Sequence, residues 1–475
     1  MNTDKTPAAR AGLALALLAG LLSACASGPQ HLAPAVAPVA IAAPEQQLFA
    51  SDAVQRDWWR QLEDPQLDAL VERTLAANHD IRLAHARLAE ARAAQTGAAL
   101  DRLPTLDLSA SRTRGIAQGN GAPAEARSLS TSSRAGFDVR WEIDLFGRLA
   151  RLEAAADARA QAQAAELAQV RVVAVAELAR HYYEMRGAEQ RLALLKRTLQ
   201  ALQSSLDVVQ SQVQTGRALP GDLASARAAL ASAEAEQPRL ENARRLAAHR
   251  VAVLAGLRPA ELAPLLQPRT LQPLDKRLPI GELGELLRRR PDVHAAERAL
   301  AARGAEAGAA RADLYPRLDL GGFLGFVALR GADLGSAASR AFSVDTGARW
   351  AALPSGSARA RLRAAQARVD GAQAQYEQAV LLAVEEVENA LSQHGQNQQR
   401  MRSLLQAAEQ SRRAAELAQA RHREGVAPYL ELLDAQRSLL RAQDALAEAE
   451  TAAYTGLVAL YKALGGGWQP DEAAG

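Results

Sequence analysis

The stretch Phe137-Asp138-Val139-Arg140-Trp141-Glu142-Ile143-Asp144-Leu145-Phe146-Gly147-Arg148 decides the fold. Its first half alternates. Phe137, Val139, Trp141 and Ile143 interleave with Asp138, Arg140, Glu142 and Asp144, which predicts a strand over Ser133–Leu145 with one apolar and one charged face. After Gly147 the pattern changes. Arg148–Gln214 runs without proline and predicts one helix, roughly 100 Å long at 1.5 Å per residue. Gly216 and Pro220 end it, and Asp222–Leu254 reads as helix again. Upstream, Gly115–Ser133 is Gly/Ser-rich and loop-like, Leu103–Gly115 alternates, and Pro65–Leu100 has helical periodicity.

The same order returns later in the chain. Asp80, Leu88, Asp101, Pro104, Leu106, Asp107 and Leu108 match Asp292, Leu300, Asp313, Pro316, Leu318, Asp319 and Leu320, each pair 212 positions apart. Trp141, Gly147, Glu177, Gly216, Leu223, Leu230 and Gly256 match Trp350, Gly356, Glu386, Gly425, Leu432, Leu439 and Gly465, each 209 apart. Matching alanines would mean little in so Ala-rich a chain. Matching Trp, Gly, Pro and Asp at a constant offset is hard to obtain by accident. The second copy reads as helix Arg290–Ala312, strand Tyr315–Phe326, a strand containing Phe342, Val344 and Trp350, long helix Ser357–Arg423 and helix Tyr429–Leu464. Leu362, Val369, Tyr376, Val380, Val384, Val387 and Leu391 form a coiled-coil-like stripe on the long helix.

The 475 residues carry 56 basic and 53 acidic side chains, a net charge of +3. No basic block marks a nucleic-acid binder. Cysteine occurs once, at Cys25, which excludes a disulfide framework and a cysteine zinc site. Lys5 and Arg10 followed by the apolar run Ala11–Leu22 read as a secretory signal, too short to span a bilayer comfortably. Leu22-Ser23-Ala24-Cys25 fits a lipobox, in which Cys25 is acylated. Ordinary cleavage after Ala26 is the alternative. Ala26, rather than an aspartate, after the cysteine directs a lipoprotein to the outer membrane. The expected organisation is a signal peptide over 1–24, an acylated N-terminus and flexible Ala/Pro spacer over 25–50, and a first repeat over 51–257. A Pro-rich connecting segment follows over 258–288, then a second repeat over 289–465 and a tail over 466–475.

Four strands with one apolar and one charged face need a setting. A soluble sandwich of four is meagre. A membrane barrel needs apolar residues outside and no free edge. One chain cannot close a useful barrel, whereas three supply twelve strands and twelve helical columns. The two short helices of each copy together match one long helix, so each copy gives two columns. The expected fold is therefore mainly α with a small β part, internally duplicated. Its trimer forms a 12-stranded β-barrel continuous with a 12-helix α-barrel.

Several motifs add a resemblance. Trp58-Trp59, Asp64-Pro65-Gln66-Leu67 and Asn78-His79-Asp80-Ile81 open the first copy. Trp141–Arg148 forms a strand-to-helix junction, and Arg289-Arg290-Pro291-Asp292-Val293 starts the second copy. Gly425–Arg437 forms a turn. Together they resemble the TolC-like outer-membrane efflux factors in their lipoprotein, NodT-type branch, from about Asp52 to Gly465. One departure is Leu353-Pro354-Ser355-Gly356, where the family usually has an aromatic and often an acidic residue. The resemblance implies a homotrimer held by outer-membrane lipid and extending into the periplasm. It implies a periplasmic adaptor and an inner-membrane resistance-nodulation-division pump as partners, with no cofactor, catalytic group or nucleic acid.

Leu430, Asp434 and Arg437 lie at i, i+4 and i+7, on one helix face. In the family this face looks into the narrow periplasmic end. Three copies of Asp434 near a threefold axis repel one another, and Arg437 relieves this through ion pairs. Glu431, on a neighbouring face, resembles a second acidic gate position. The plainer account is a solvated face with weak pairing. The eight histidines are scattered, and His79 and His85 lack ligand spacing for a metal. Gly321-Gly322-Phe323-Leu324-Gly325 lacks the lysine and helix of a phosphate loop and reads as strand glycines. Trp58-Trp59 reads as a packed anchor rather than a binding platform. The rival functions are a periplasmic adaptor or pore-less coiled-coil envelope lipoprotein, against which the duplicated hairpin speaks, and an envelope enzyme, for which no constellation is visible.

Overall fold

The computed structural model describes residues 49–50, 55–118, 127–269, 271, 278–280, 289–350 and 356–468. The predicted signal peptide, Cys25, most of the spacer, the tail beyond 468 and Leu353-Pro354-Ser355 lie outside them. Among the described residues the protein is mainly helical, with a four-stranded sheet and a two-residue parallel bridge. In chain order come α1 (Pro65–Ala77), α2 (His79–Leu100), β1 (Thr105–Gln118), β2 (Arg127–Ile143), α3 (Arg148–Gln214), α4 (Pro220–Glu234) and α5 (Glu236–Leu254). Then follow α6 (Pro291–Ala312), β3 (Arg317–Ala328), β4 (Arg340–Arg349), α7 (Gly356–Arg423) and α8 (Tyr429–Ala463).

The sheet is antiparallel in the order β1-β2-β3-β4, so β1 and β4 are its two edges. Its register is unbroken. Leu108 faces Phe137, Phe137 faces Leu324, and Leu324 faces Phe342. The first hairpin is longer than the sequence suggests, because Ser and Thr residues predicted as loop continue the ladder, as in Ser130 opposite Gly115. A two-residue parallel bridge pairs Phe49 with Leu278 and Ala50 with Pro279.

Two expected helices are each divided. Pro65–Leu100 breaks at Asn78, whose backbone is extended. Its side-chain oxygen accepts from Asp80 N at 2.9 Å and Ile81 N at 3.1 Å, and its amide donates to Leu254 O at 2.9 Å. Asn78 thus restarts the helix as a cap. The span Asp222–Leu254 breaks at Ala235, the cap between α4 and α5. The reason is Pro238, which offers no N–H to the carbonyl of Glu234 and collides with it. The long helices have 67 and 68 residues, with α3 at its predicted bounds.

Two compact units divide the described residues. One, Leu88–Gln163 with Ala296–Glu377, contains the sheet. In it Trp141 Nε1 donates to Arg102 O at 2.9 Å, and Trp350 Nε1 donates to Leu314 O at 3.1 Å. Phe146 stacks on Tyr315 with centroids 4.9 Å apart.

The other unit draws on Val36–Arg87, Ala164–Ala295 and Gln378–Gly475 and holds the main core. Trp58 and Trp59 are buried, and Trp58 stacks on Tyr461 at 4.9 Å. The packed-anchor reading of this pair is therefore the right one. Tyr183 stacks on Tyr454 at 4.3 Å, and Tyr182 donates to Asp64 Oδ2 at 2.8 Å. Burial pushes the phenols of Tyr182 and Tyr183 above the usual range. Arg186, buried beside them, is held by Glu189 at 2.7 Å and Gln66 at 2.8 Å. Tyr376, Val387 and Leu391 of the α7 stripe are buried, and Leu362, Val369, Val380 and Val384 half-buried.

Candidate functional site

The turn between α7 and α8 is built around Gly425, whose φ of +74° only glycine adopts cheaply. Val426 N and Ala427 N both donate to Arg421 O, at 2.9 and 3.3 Å. The ring of His422 sits 2.9 Å from Ala427 O and packs edge-on against Tyr429. Ser205 on α3 donates to the Tyr429 hydroxyl at 3.2 Å. Tyr429, Leu432 and Leu433 are buried in a small core with Leu202, Val209, Ala226 and Ala418. That burial fixes the rotation of α8 about its axis.

With this face buried, Leu430 and Asp434 are exposed and Arg437 is half-buried. The helix spacing thus brings the three predicted residues to one side. Among the described residues of the chain, neither Asp434 nor Arg437 has an ion-pair partner. Glu431 differs. Its Oε1 accepts from Arg421 Nη1 at 2.6 Å, an exposed pair across the turn. Arg421 escaped the sequence reading because the pair depends on the reversal at Gly425, which helical spacing does not reveal.

The sheet offers a second surface. Because directly opposed residues share a face, Leu108, Phe137, Leu324 and Phe342 form one apolar row, and Leu106, Val139 and Val344 form the next. Residues of the first row are 77, 47, 67 and 81% exposed, so nothing among the described residues covers this face. The opposite face is polar. Asp138 accepts from Arg134 Nη2 and Ser109 Oγ, each at 2.5 Å. Arg134 lies 3.8 Å over the ring of Phe323, the one aromatic there among the described residues. Gly136 and Gly325 oppose one another beneath that ring, where a Cβ on either would strike the other's backbone. The Gly321–Gly325 segment is thus strand, in β3. Among the described residues, no helix is long and apolar enough to cross a membrane.

A mainly helical chain with a bare apolar sheet face and a charged helix tip has the traits of a membrane-seated duct. The sequence profile of the outer membrane efflux protein family matches residues 70–257 and 283–466. The chain is 33% identical over 466 residues to outer membrane protein OprJ of Pseudomonas aeruginosa, covering 96% of each. It is 28% identical to nodulation protein T of Rhizobium leguminosarum bv. trifolii, covering 96% of this chain and 97% of that one. The solved outer-membrane channel OprN superposes with a TM-score of 0.90 at 45% identity, over 94% of this chain and 100% of that chain. The chain belongs to the outer membrane efflux protein family, in its NodT-type branch. It is an outer-membrane channel component of an efflux system.

Proposed function

We propose that three copies of the chain close into one exit duct, a 12-stranded barrel joined to a 12-helix barrel. The carrying observation is the sheet: one face is apolar and bare, and edge strands β1 and β4 have no partner in the chain among the described residues. Neighbouring copies would pair those edges, and hydrocarbon would cover that face. A pore-less adaptor or coiled-coil lipoprotein has no use for such a row.

Internal duplication is supported by bonds that recur at the sequence offsets. Trp141 to Arg102 O corresponds to Trp350 to Leu314 O. Asn78 to Leu254 O corresponds to Arg290 to Ala463 O. The two segments matched by the family profile agree with this. Cargo would enter from an inner-membrane resistance-nodulation-division pump through a periplasmic adaptor docked on the helical end. Acylated Cys25 would tether each copy to outer-membrane lipid. No cofactor takes part in this reading.

The narrow end would be gated by Leu430, Asp434 and Arg437. Within one chain Asp434 and Arg437 lack partners among the described residues, so each is free to pair with a neighbouring copy. Glu431, braced by Arg421, would supply a second acidic position at the same rim. Single-channel recording in planar bilayers tests duct and gate together. Heat-modifiable trimers should conduct, and Asp434→Ala or Arg437→Ala should raise the conductance several-fold. Unchanged conductance in both variants would refute the gate. For the anchor, palmitate labelling should vanish in Cys25→Ser.

A further inference from the structure

The apolar face of the sheet does not run unchanged along the strands. Consider the residues on it from Leu106 to Ile116, Leu129 to Ile143, Leu318 to Ala328 and Arg340 to Trp350. The only charged ones are Arg112, Arg114 and Arg340, and no acid accompanies them. All three are exposed, and none has an ion-pair partner among the described residues. The opposite face, by contrast, mixes Arg134, Arg140, Arg317 and Arg349 with Asp107, Asp138, Glu142, Asp319 and Asp345.

Their level is also set by the register. Arg340 faces Phe326, Phe326 faces Ala135, and Ala135 faces Ala110, so Arg340 stands one row beyond Leu108, Phe137, Leu324 and Phe342. Arg112, opposite Ser133, is one row further, and Arg114, opposite Thr131, one more. From Ile143 to the Ser133 level is about 33 Å along the strand at 3.3 Å per residue. At a barrel-strand tilt of about 45° this is about 23 Å of height, close to the apolar band of an outer-membrane barrel. At the helix-side end stand Trp141 and Trp350, each with its indole N–H on a backbone carbonyl, and tryptophan is a residue type enriched at membrane–water interfaces. The arginines therefore fall at the opposite water–hydrocarbon boundary, with Ile116 and Leu129 on the hairpin beyond.

We propose that Arg112, Arg114 and Arg340 form an anion-binding row that seats on the phosphates of lipid A in the outer leaflet. This rests on the barrel reading above. Guanidinium groups without carboxylate partners suit phosphate, which they bind in bidentate fashion. Arg112 and Arg114 lie on one edge strand and Arg340 on the other, so barrel closure would bring those of neighbouring copies together. Three such clusters would ring the trimer.

The test uses the purified full-length trimer in detergent, with native mass spectrometry counting bound lipid A. Wild type should retain bisphosphorylated lipid A and bind the dephosphorylated form far less. Arg112→Gln/Arg114→Gln/Arg340→Gln should weaken retention by one to two orders of magnitude, on the order of the effect of three surface charges. The triple Lys variant should keep most of it. Arg140→Gln, on the other face, should change nothing. Retention unaltered in the triple Gln variant, or equal binding of the dephosphorylated lipid, would overturn the assignment. Planar-bilayer conductance separates the two levels. A conducting triple Gln variant with full lipid A retention refutes only the arginine row. A wild type that never conducts refutes the barrel itself.

Discussion

The two inter-helix turns of the chain make like backbone bonds and differ in the side chains they carry. At the first turn Arg217 N and Ala218 N donate to Gln212 O at 2.8 and 3.3 Å, and at the second Val426 N and Ala427 N donate to Arg421 O at 2.9 and 3.3 Å. Gly216 and Gly425 have φ of +71° and +74°. Yet the helix after the first turn carries Gly221, Asp222, Ser225 and Ala228 where the second carries Leu430, Glu431, Asp434 and Arg437. Asp222 accepts from Leu219 N at 3.1 Å and serves only its own helix start, whereas Glu431 reaches Arg421 at 2.6 Å. Repeated backbone bonds build the scaffold. The side chains differ between the two turns, so the proposed gate is tested by comparing the second turn with the first.

The largest expected difference lies in the interior. Position 209 residues after Met185 is His394, and both are buried, at 0 and 2% exposure. Burial pushes the His394 imidazole down to about 4. Unfolded, it takes a proton below about pH 6.5 that the folded chain refuses until about pH 4. Stability is thus undiminished above the unfolded pKa and is lost as pH falls through that window, by about 3 kcal/mol at most. Urea midpoints measured at pH 7.5, 6.0 and 4.5 should show that His394→Met, which copies the first half, removes this share of the acid sensitivity. Identical pH profiles for variant and wild type would refute the account.

Next in size is a pair of glycines at equivalent ends. Gly256 and Gly465 both have positive φ, +69° and +79°. A Cβ would lie 2.8 Å from Ala77 O at the first and 3.1 Å from Arg289 O at the second. The left-handed backbone alone costs about 1–2 kcal/mol for alanine. Gly256→Ala should therefore cost about 2 kcal/mol or more and Gly465→Ala about 1–2 kcal/mol. Equal losses in thermal unfolding would mean that the backbone conformation, not the closeness of Ala77, sets the cost.

These contrasts also mark what could be read from the chain alone. The 67-residue α3 was legible because nothing interrupts its pattern, and the apolar rows because alternation is local. Asn78 was not, since its break depends partly on Leu254 O, 176 residues away. Pro238 could have flagged the division of α4 from α5, and its position in the sequence was the available signal. The stack of Trp58 on Tyr461 joins the two ends of the described chain, beyond any periodicity. At the tip, the shared face of Leu430, Asp434 and Arg437 was legible because a helix face is a spacing rule. Arg421 was missed because its approach to Glu431 is made by a turn.

The smallest effect concerns that last pair. Both side chains are about half exposed, 54 and 40%, so the ion pair contributes little, about 0.2–1 kcal/mol. Arg421→Gln should lower the unfolding midpoint by no more than this, and Asp222→Asn in the first half by a similar amount through its helix start. The two differ in transport. In the proposed duct, the Glu431 carboxylate freed from Arg421 would add negative charge beside Asp434. Cation selectivity in planar bilayers should then rise slightly in Arg421→Gln, by less than the conductance gain in Asp434→Ala, while Asp222→Asn leaves selectivity unchanged. Equal selectivity in the two variants would make Arg421–Glu431 a brace for the turn alone and leave the gate to Leu430, Asp434 and Arg437.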